Sequence, residues 1–397
     1  MNYSEVNIFD FLYEDYKITK PIRLIELFGG IGSQAKALKN LGANFEHYRL
    51  VEFDKNAIAS YNAIHGTDFE TRDITKVSAK DLNIETTNQH EYILTYSFPC
   101  QDLSLAGQCK GMEKGSGTRS GLLWEVERIL NECDELPQIL LMENVPQVHS
   151  QRNIDSFKDW ITALEKLGYS NYWEDLNSKN YGIPQNRNRT FMISILGNYN
   201  YKFPKPFELK LRLKDLLETD VDESYYLSEK GLDYICGNAL NKDLKDMVDR
   251  ENKVLNGDIA YTLNTHPVRK CGDSNYILDG YEEITIKEFL KIRNATKKGY
   301  LEATVGDGID IGKRMIHHRG TVQKGMAQTL KTSVDVGVVT NDLRVRKLTP
   351  REYYRLMGFS DEDFDNASKV NSNTNLYKQA GNSIVVNVLE EIFKQLL

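Results

Sequence analysis

The sequence predicts an α/β fold, a larger domain built on a parallel sheet and followed by a smaller, loop-rich one. From Ile22 to about residue 200, short apolar runs alternate with amphipathic stretches, the pattern of strands joined by helical crossovers. After Pro204 and Pro206 the texture changes to Lys- and Asp-rich segments without alternation, then to sequence rich in Gly, Asn, Asp and Thr up to about residue 345. The length of 397 residues with 40% hydrophobic content is enough for two unequal cores.

RLIELF reads as the first strand, SQAKALKNLG as the helix after it, HYRLVEF as the second strand and KNAIASYNAI as its helix. YILTYSF and QILLMEN follow as strands, and TFMISILG at 190–197 as one more. The change of texture places a boundary near 200–208, and NYILDGYEEITI and VDVGVVT are short β-like pieces beyond it. SIVVNVLEEIFKQLL is an amphipathic helix too apolar on one face to stand alone, so it is expected to pack back on the first domain. The expected division is 1–204 completed by 375–397, a second domain over 205–343, and a joining segment over 344–374.

A formal net charge of −7 excludes a protein coated with positive charge. It leaves room for one basic cleft, with local clusters at Lys291, Arg293, Lys297 and Lys298, at Lys313, Arg314 and Arg319, and at Arg344, Arg346 and Lys347. The five cysteines are odd in number and scattered, without zinc or disulfide spacing, which points to a reducing, cytoplasmic setting and to no metal. The N-terminal MNYSEVNIFDFLYEDYKITK has acidic residues through its apolar stretch and no small-residue cleavage site, so neither signal peptide nor membrane anchor is expected there.

LIELFGGIGSQAKAL sets Phe28, Gly30 and Gly32 in a turn between an apolar strand and a helix, where glycines let the backbone approach a ligand. The next strand ends in Glu52, where nucleotide-binding α/β folds present a carboxylate to ribose hydroxyls. A glycine turn can also serve chain geometry alone. The turn lacks the third spaced glycine of a dinucleotide site, which tilts the choice towards S-adenosylmethionine.

YILTYSF runs into Pro99, Cys100 and Gln101, so the thiol stands near the carboxyl end of a strand, the edge at which open α/β sheets place their sites. Cysteine there is often a packing residue, but the following QDLSLAGQCKGMEKGSGTRSG is Gly- and Ser-rich with little to bury, as a lid over a reactive thiol would be. QILLMEN delivers Glu143 and Asn144 to the same edge, and an acid after an apolar run suits proton handling, although a loop carboxylate reads the same way. In YGIPQNRNRTFMISI, Arg187 and Arg189 alternate on one face before a buried strand, a clamp for a carbonyl oxygen or phosphate, or equally a pair of surface ion-pair partners.

Taken in order, FGGIG, VEFDKNA, RDITKV, SFPCQDLSLAG, MENV, QNRNR, RKLTPREYYRLMGF and QAGNSIVVNV resemble the conserved blocks of the cytosine carbon-5 DNA methyltransferases of bacteria and phages. The blocks span about 22–202 and 344–391 and leave the middle weakly matched. The resemblance implies a Rossmann-like, S-adenosylmethionine-dependent large domain with a smaller target recognition domain. It implies that Cys100 attacks carbon 6 of a flipped-out cytosine, that Glu143 holds ring nitrogen 3 and supplies a proton, and that Arg189, with Arg187 beside it, binds the ring oxygen. For the cofactor it implies Phe28, Gly30 and Gly32 around the methionine moiety, Glu52 at the ribose, Phe53 on the adenine face, Asp73 and Ile74 at its edge, and Pro99 and Asn382 completing the pocket. One departure is FGG where the family more often has FAG, a change expected to be tolerated at Gly29.

The resemblance also implies a lid from Gln101 to Arg119, with Ser104 on the flipped nucleotide's backbone and Gln108 in the vacated stack. Within about 205–343, Arg269, Lys313, Arg314 and Arg319, with His317 and His318, are candidate base and phosphate contacts. The adjacent histidines lack the ligand spacing of a metal site. The expected partner is double-stranded DNA, met by a monomer in the bacterial cytoplasm at the nucleoid, with a companion restriction endonuclease as a further candidate. A transfer RNA cytosine methyltransferase would share the catalytic blocks, but the long variable segment favours duplex DNA. A non-catalytic DNA-binding regulator would be expected to have lost Cys100 or Glu143. A dinucleotide oxidoreductase would need another glycine pattern.

Overall fold

The computed structural model describes residues 13–100, 103, 111–236, 289–312, 319–341 and 343–397. The chain runs through β1 (Ile22–Leu27), α1 (Ser33–Asn40), β2 (Phe45–Val51), α2 (Lys55–His65), α3 (Ala79–Leu82), β3 (Glu91–Tyr96), α4 (Leu123–Glu132), β4 (Ile139–Asn144), α5 (Ile154–Lys166), β5 (Tyr169–Asn177), β6 (Gln185–Asn186) and β7 (Asn188–Leu196). It continues through α6 (Glu229–Cys236), β8 (Leu290–Arg293), β9 (Tyr300–Ala303), β10 (Gly308–Asp310), β11 (Val322–Gln323), β12 (Ala327–Gln328), β13 (Val336–Val339) and β14 (Val345–Lys347). It ends with α7 (Pro350–Leu356), α8 (Asp361–Ser368), α9 (Asn373–Asn382) and α10 (Val386–Lys394).

The main sheet has the order β2-β1-β3-β4-β7-β5. Strands β1 to β4 pair in parallel, as the alternation predicts. The expectation of a wholly parallel sheet needs correction at TFMISILG, because β7 lies antiparallel to both β4 and β5. The ten residues between β5 and β7 hold no crossover helix, and antiparallel neighbours are the pair a short connection can join. Strand β5, absent from the sequence reading, is a half-exposed edge strand whose polar residues hide its period. Beneath the sheet, Leu94, Tyr96, Leu140, Met142, Phe157 and Trp160 belong to one buried cluster. The connection reverses between β1 and β3, with β2 on one side and β3 on the other. This is the switch point at which open α/β sheets leave a crevice beyond their carboxyl ends.

Two compact units divide the chain: Met1–Asp220 with Gly325–Val334 and Leu348–Leu397, and Val221–Lys324 with Asp335–Lys347. The first boundary thus lies beyond the expected 204, because main-chain and side-chain bonds hold the intervening segment to the first unit. Leu213 N–H donates to the Gly325 carbonyl at 2.8 Å, Glu218 N–H to the Glu352 carboxylate at 2.8 Å, and Arg355 to the Leu216 carbonyl at 2.9 Å. The segment 344–374 is divided too, since β14 belongs to the second unit and α7 and α8 to the first. Helix α10 packs against α1 as its apolar face requires, with an Asn40–Glu390 hydrogen bond of 2.7 Å.

The second unit has its own small core. Antiparallel strands in the order β11-β10-β13-β14 and the β8–β9 hairpin bury Leu290, Ile292, Ile309, Val339 and Val345 with Ile235 and Cys236 of α6. The expected strand VDVGVVT is β13, whereas NYILDGYEEITI lies outside the described residues. Among the described residues no helix is long and apolar enough to cross a membrane.

Gly381, near the end of α9, meets main chain rather than a yielding side chain: a Cβ there would stand 2.4 Å from the Lys331 carbonyl carbon and oxygen. Gly381→Ala is expected to lower stability by about 1–3 kcal/mol, the usual cost of overpacking. A urea midpoint shifted down at constant slope would show it, and an unchanged midpoint would contradict the packing.

Candidate active site

At the carboxyl end of β1 the chain turns sharply, with Phe28 at φ +57°, Gly30 at +57° and Gly32 at +80°. A non-glycine residue in this region costs about 1–2 kcal/mol, so the surroundings must hold Phe28 there. The Phe28 N–H donates to the Val51 carbonyl at 2.7 Å and the Gly32 N–H to the Gly29 carbonyl at 3.0 Å. At Gly29 an added Cβ would lie 2.4 Å from Leu50 Cδ1, so a leucine methyl on β2 already fills the volume that an alanine would use. Above Gly30 there is nothing within 4 Å of a Cβ, which leaves open space for a ligand.

Glu52 follows β2 and faces this turn. Its Oε2 accepts from Gly30 N–H at 3.0 Å and its Oε1 from Asp54 N–H at 2.8 Å. Burial raises its pKa above the ordinary carboxylate value, and the two main-chain donors oppose that rise. Phe53 beside it is 77% exposed, an unpaid aromatic surface with a ring face free for stacking. Asp73 caps the short turn over Ile74–Lys76 by accepting from Thr75 N–H at 3.0 Å, so its carboxylate is already engaged while Ile74 is buried. Open space over a glycine turn, an anchored acceptor and an exposed ring fit a ligand with a hydroxylated sugar and a planar base.

Cys100 stands four residues beyond β3. Asn144, at the end of β4, donates to the Phe98 carbonyl at 3.0 Å, Ser120 Oγ donates to the Pro99 carbonyl at 2.7 Å, and Leu103 N–H to the Cys100 carbonyl at 3.0 Å. The thiol's approach is therefore tied on three sides. Sequence reasoning missed the Ser120 and Asn144 contacts, since neither spacing nor composition marks which carbonyl a distant side chain will reach. In the candidate lid, Thr118 Oγ1 donates to the Gly111 carbonyl at 3.1 Å and Trp124 Nε1 to the Met112 carbonyl at 2.8 Å. Arg119 is exposed at its end. Gln101, Ser104 and Gln108 lie outside the described residues, as do Arg269, Lys313, Arg314, His317 and His318. Arg319 is exposed in the second unit, bridged to Asn294.

Glu143, 7% exposed, is paired with Arg189, whose Nε lies 3.2 Å from its Oε1. Burial is the larger influence and raises the Glu143 pKa, while Arg189 and then Arg187 pull it down. Cys100 feels the same groups. Burial pushes its thiol up first, the Glu143 charge adds to the rise, and Arg189 and Arg187 counter it. Cys100, Glu143, Arg187 and Arg189 thus form one electrostatic cluster.

The two arginines line one small cavity with Ser178, Phe191 and Ile384, yet they do not act as one clamp. Arg187, 3% exposed, donates to the carbonyls of Leu330 at 3.0 Å, Gly381 at 3.2 Å and Ser383 at 2.7 Å. The last two carbonyls flank the exposed Asn382 at the end of α9. Burial lowers the Arg187 pKa to about 9, with the Arg189 charge next in effect. The structure gives Arg187 the work of holding main chain in place and leaves Arg189 with the carboxylate.

Comparison with known proteins identifies the family. Type II methyltransferase M2.ScrFI of Lactococcus lactis subsp. cremoris is 32% identical over 94% of this chain and 99% of its own length. Type II methyltransferase M.HhaI of Haemophilus parahaemolyticus is 31% identical over 94% of this chain and 93% of its own. A solved structure of the Entamoeba histolytica methyltransferase EhMeth aligns with a TM-score of 0.58 at 17% identity, over 95% of this chain and 98% of that one, which bears on the fold alone. The model of the C-5 cytosine-specific DNA methylases matches residues 22–397, and the chain belongs to that family.

Proposed function

We propose that this chain methylates carbon 5 of cytosine in double-stranded DNA, acting as a monomer with Cys100 as nucleophile and S-adenosylmethionine as donor. The observation that carries the reading is the buried Glu143–Arg189 pair set against the Cys100 thiol. Glu52, Phe53 and the Phe28–Gly32 turn would hold the donor, which supplies an electrophilic methyl group to carbon 5 of the base. The ring face of a cytosine is out of reach in a duplex, so the base is extruded at about a few kcal/mol of lost stacking and pairing.

Cys100 Sγ, as thiolate, bonds to carbon 6 while Glu143 delivers its proton to ring nitrogen 3, which moves electron density to carbon 5. Arg189 donates towards the ring oxygen and keeps the carboxyl of Glu143 aimed. Once carbon 5 is methylated, a water molecule takes the carbon 5 proton, the electron pair re-forms the 5,6 double bond and expels Cys100 as thiolate, and ring nitrogen 3 returns its proton to Glu143, which restores the aromatic ring. The reaction therefore needs one proton on the Cys100–Glu143 pair, carried by the carboxyl. For sequence recognition the reading favours the segment 205–343, where Lys291 and Lys298 stand over the Tyr300 ring at 5.1 and 4.7 Å, a basic and aromatic pair suited to a nucleic-acid backbone. The matched relatives include type II and orphan methyltransferases, so a companion endonuclease is one context for such an enzyme.

Cys100→Ser is expected to abolish turnover and leave cofactor binding intact. Bisulfite sequencing of DNA from cells expressing each form reads both the activity and the target sequence, and normal methylation by the variant would refute the mechanism. Purified wild-type protein should become covalently attached to duplex DNA containing 5-fluorocytosine when the donor is present.

The pH dependence follows from the shared proton. Below the Glu143 value both groups are protonated and no thiolate exists; above the Cys100 value neither holds a proton and no acid exists. Because burial raises both, kcat/KM should be bell-shaped, with its acid limb above the ordinary carboxylate range and its alkaline limb above the ordinary thiol range. Glu143→Gln should erase the alkaline limb, leaving a single rise with pH set by the Cys100 thiol, and lower the rate by about 10²–10⁴. An alkaline limb that survives in that variant would assign the acid elsewhere.

A further inference from the structure

The last residue of α2, His65, meets the glycine turn from below. Its Nε2 lies 3.1 Å from the Ile31 carbonyl. A carbonyl only accepts, so Nε2 carries the ring proton, and Nδ1, buried with no hydrogen-bond partner, is the bare nitrogen. The same ring occupies the space beneath Gly32, where a Cβ would stand 2.3 Å from His65 Nε2 and 2.6 Å from Tyr61 Cε2. One turn earlier on α2, the Tyr61 hydroxyl donates to buried Glu26 at 2.5 Å and accepts from His47 Nδ1 at 2.9 Å. The rings of Tyr61 and His65 are 4.5 Å apart, and those of His47 and His65 5.1 Å.

Helix α2 therefore grips the turn at both ends, through Tyr61 at Glu26, two residues before Phe28, and through His65 at Ile31 and Gly32. This matters because Phe28, Gly30 and Gly32 all sit at positive φ, a conformation that persists only when its surroundings over-determine it. We propose that His65 is a positioning residue for the cofactor, its Nε2–H and ring face fixing the Phe28–Gly32 turn in the shape that receives the donor. The inference rests on the reading that this turn holds S-adenosylmethionine. A buried acceptor without a partner calls for an explanation, and here bare Nδ1 is the consequence of spending the only ring proton on Ile31. Burial, followed by the His47 ring, pushes the imidazole down to about 3, so it stays neutral at working pH.

Two substitutions separate the bond from mere filling of space. A glutamine amide nitrogen can stand where Nε2 stands, whereas leucine fills similar volume without a donor. By calorimetry on the full chain with S-adenosylhomocysteine, His65→Leu should bind about tenfold more weakly, and His65→Gln within about threefold of wild type, as the loss and retention of one buried hydrogen bond imply. The KM for the donor should move with these affinities while kcat at saturating donor and DNA stays near wild type. Nitrogen-15 spectra of the wild-type imidazoles should show His65 protonated at Nε2 alone, without titration between about pH 5.5 and 8. Wild-type affinity in His65→Leu, a loss of kcat at unchanged affinity, or a His65 ring that titrates or carries its proton on Nδ1 would each overturn the proposal. A wild-type protein that bound no S-adenosylhomocysteine would instead remove the cofactor reading of the turn on which it stands.

Discussion

The guanidinium of Arg187 is the knot on which the first unit's site depends. It is buried against the carbonyls of Leu330, Gly381 and Ser383, three acceptors from two segments that follow it by more than 140 residues. A buried cation is tolerated when its charge is answered, and the dipoles of three carbonyls on Nη1 and Nη2 with the nearby Glu143 charge supply that answer, while Nε has no partner among the described residues. Gly381 shows how close the junction is, since not even a methyl group fits between α9 and Lys331. Arg187 sits one residue before β7, and two of the carbonyls it binds, those of Gly381 and Ser383, flank Asn382. The strand that carries Arg189 and the turn that carries Asn382 are thereby fixed by one side chain.

The same cluster bears on how the proposed nucleophilic chemistry runs in a buried site. Desolvation outweighs the arginines at both Cys100 and Glu143, so both groups are held above their ordinary values. A thiol of raised pKa is a poor leaving anion in solution but a strong nucleophile once its proton has a destination. On the proposed reading the destination lies within the site, because the acid that must protonate the base and the thiol that must lose a proton share one environment. Arg189, bound to the carboxylate at 3.2 Å, tempers both values without cancelling the effect of burial.

The sheet's topology sets where this can happen. Reversal of the winding between β1 and β3 opens a crevice at their carboxyl ends. From β1 comes a turn strained at Phe28 and opened at Gly30, and from β3 comes the Phe98–Cys100 run pinned by Asn144 and Ser120. Cys100 follows β3 and Glu143 stands near the end of β4, strands buried on both faces. The loops can be irregular because their anchors are not.

Much of this was legible in the residues. The apolar runs of β1 to β4, the helices between them, the glycine turn, the strand-end Glu52 and Glu143 and the cysteine after SFP are local features, set by periodicity and by residues with special φ or charge, and sequence by itself determined them. What only the tertiary structure decided are relations between distant residues. The antiparallel sense of β7, the return of 325–334 to the first unit, the separation of Arg187 from Arg189 and the grip of His65 on the glycine turn leave no local mark. The physical reason is that a period reports which face of an element is buried, whereas a hydrogen bond from a side chain to a carbonyl more than 140 residues away depends on where both ends come to rest.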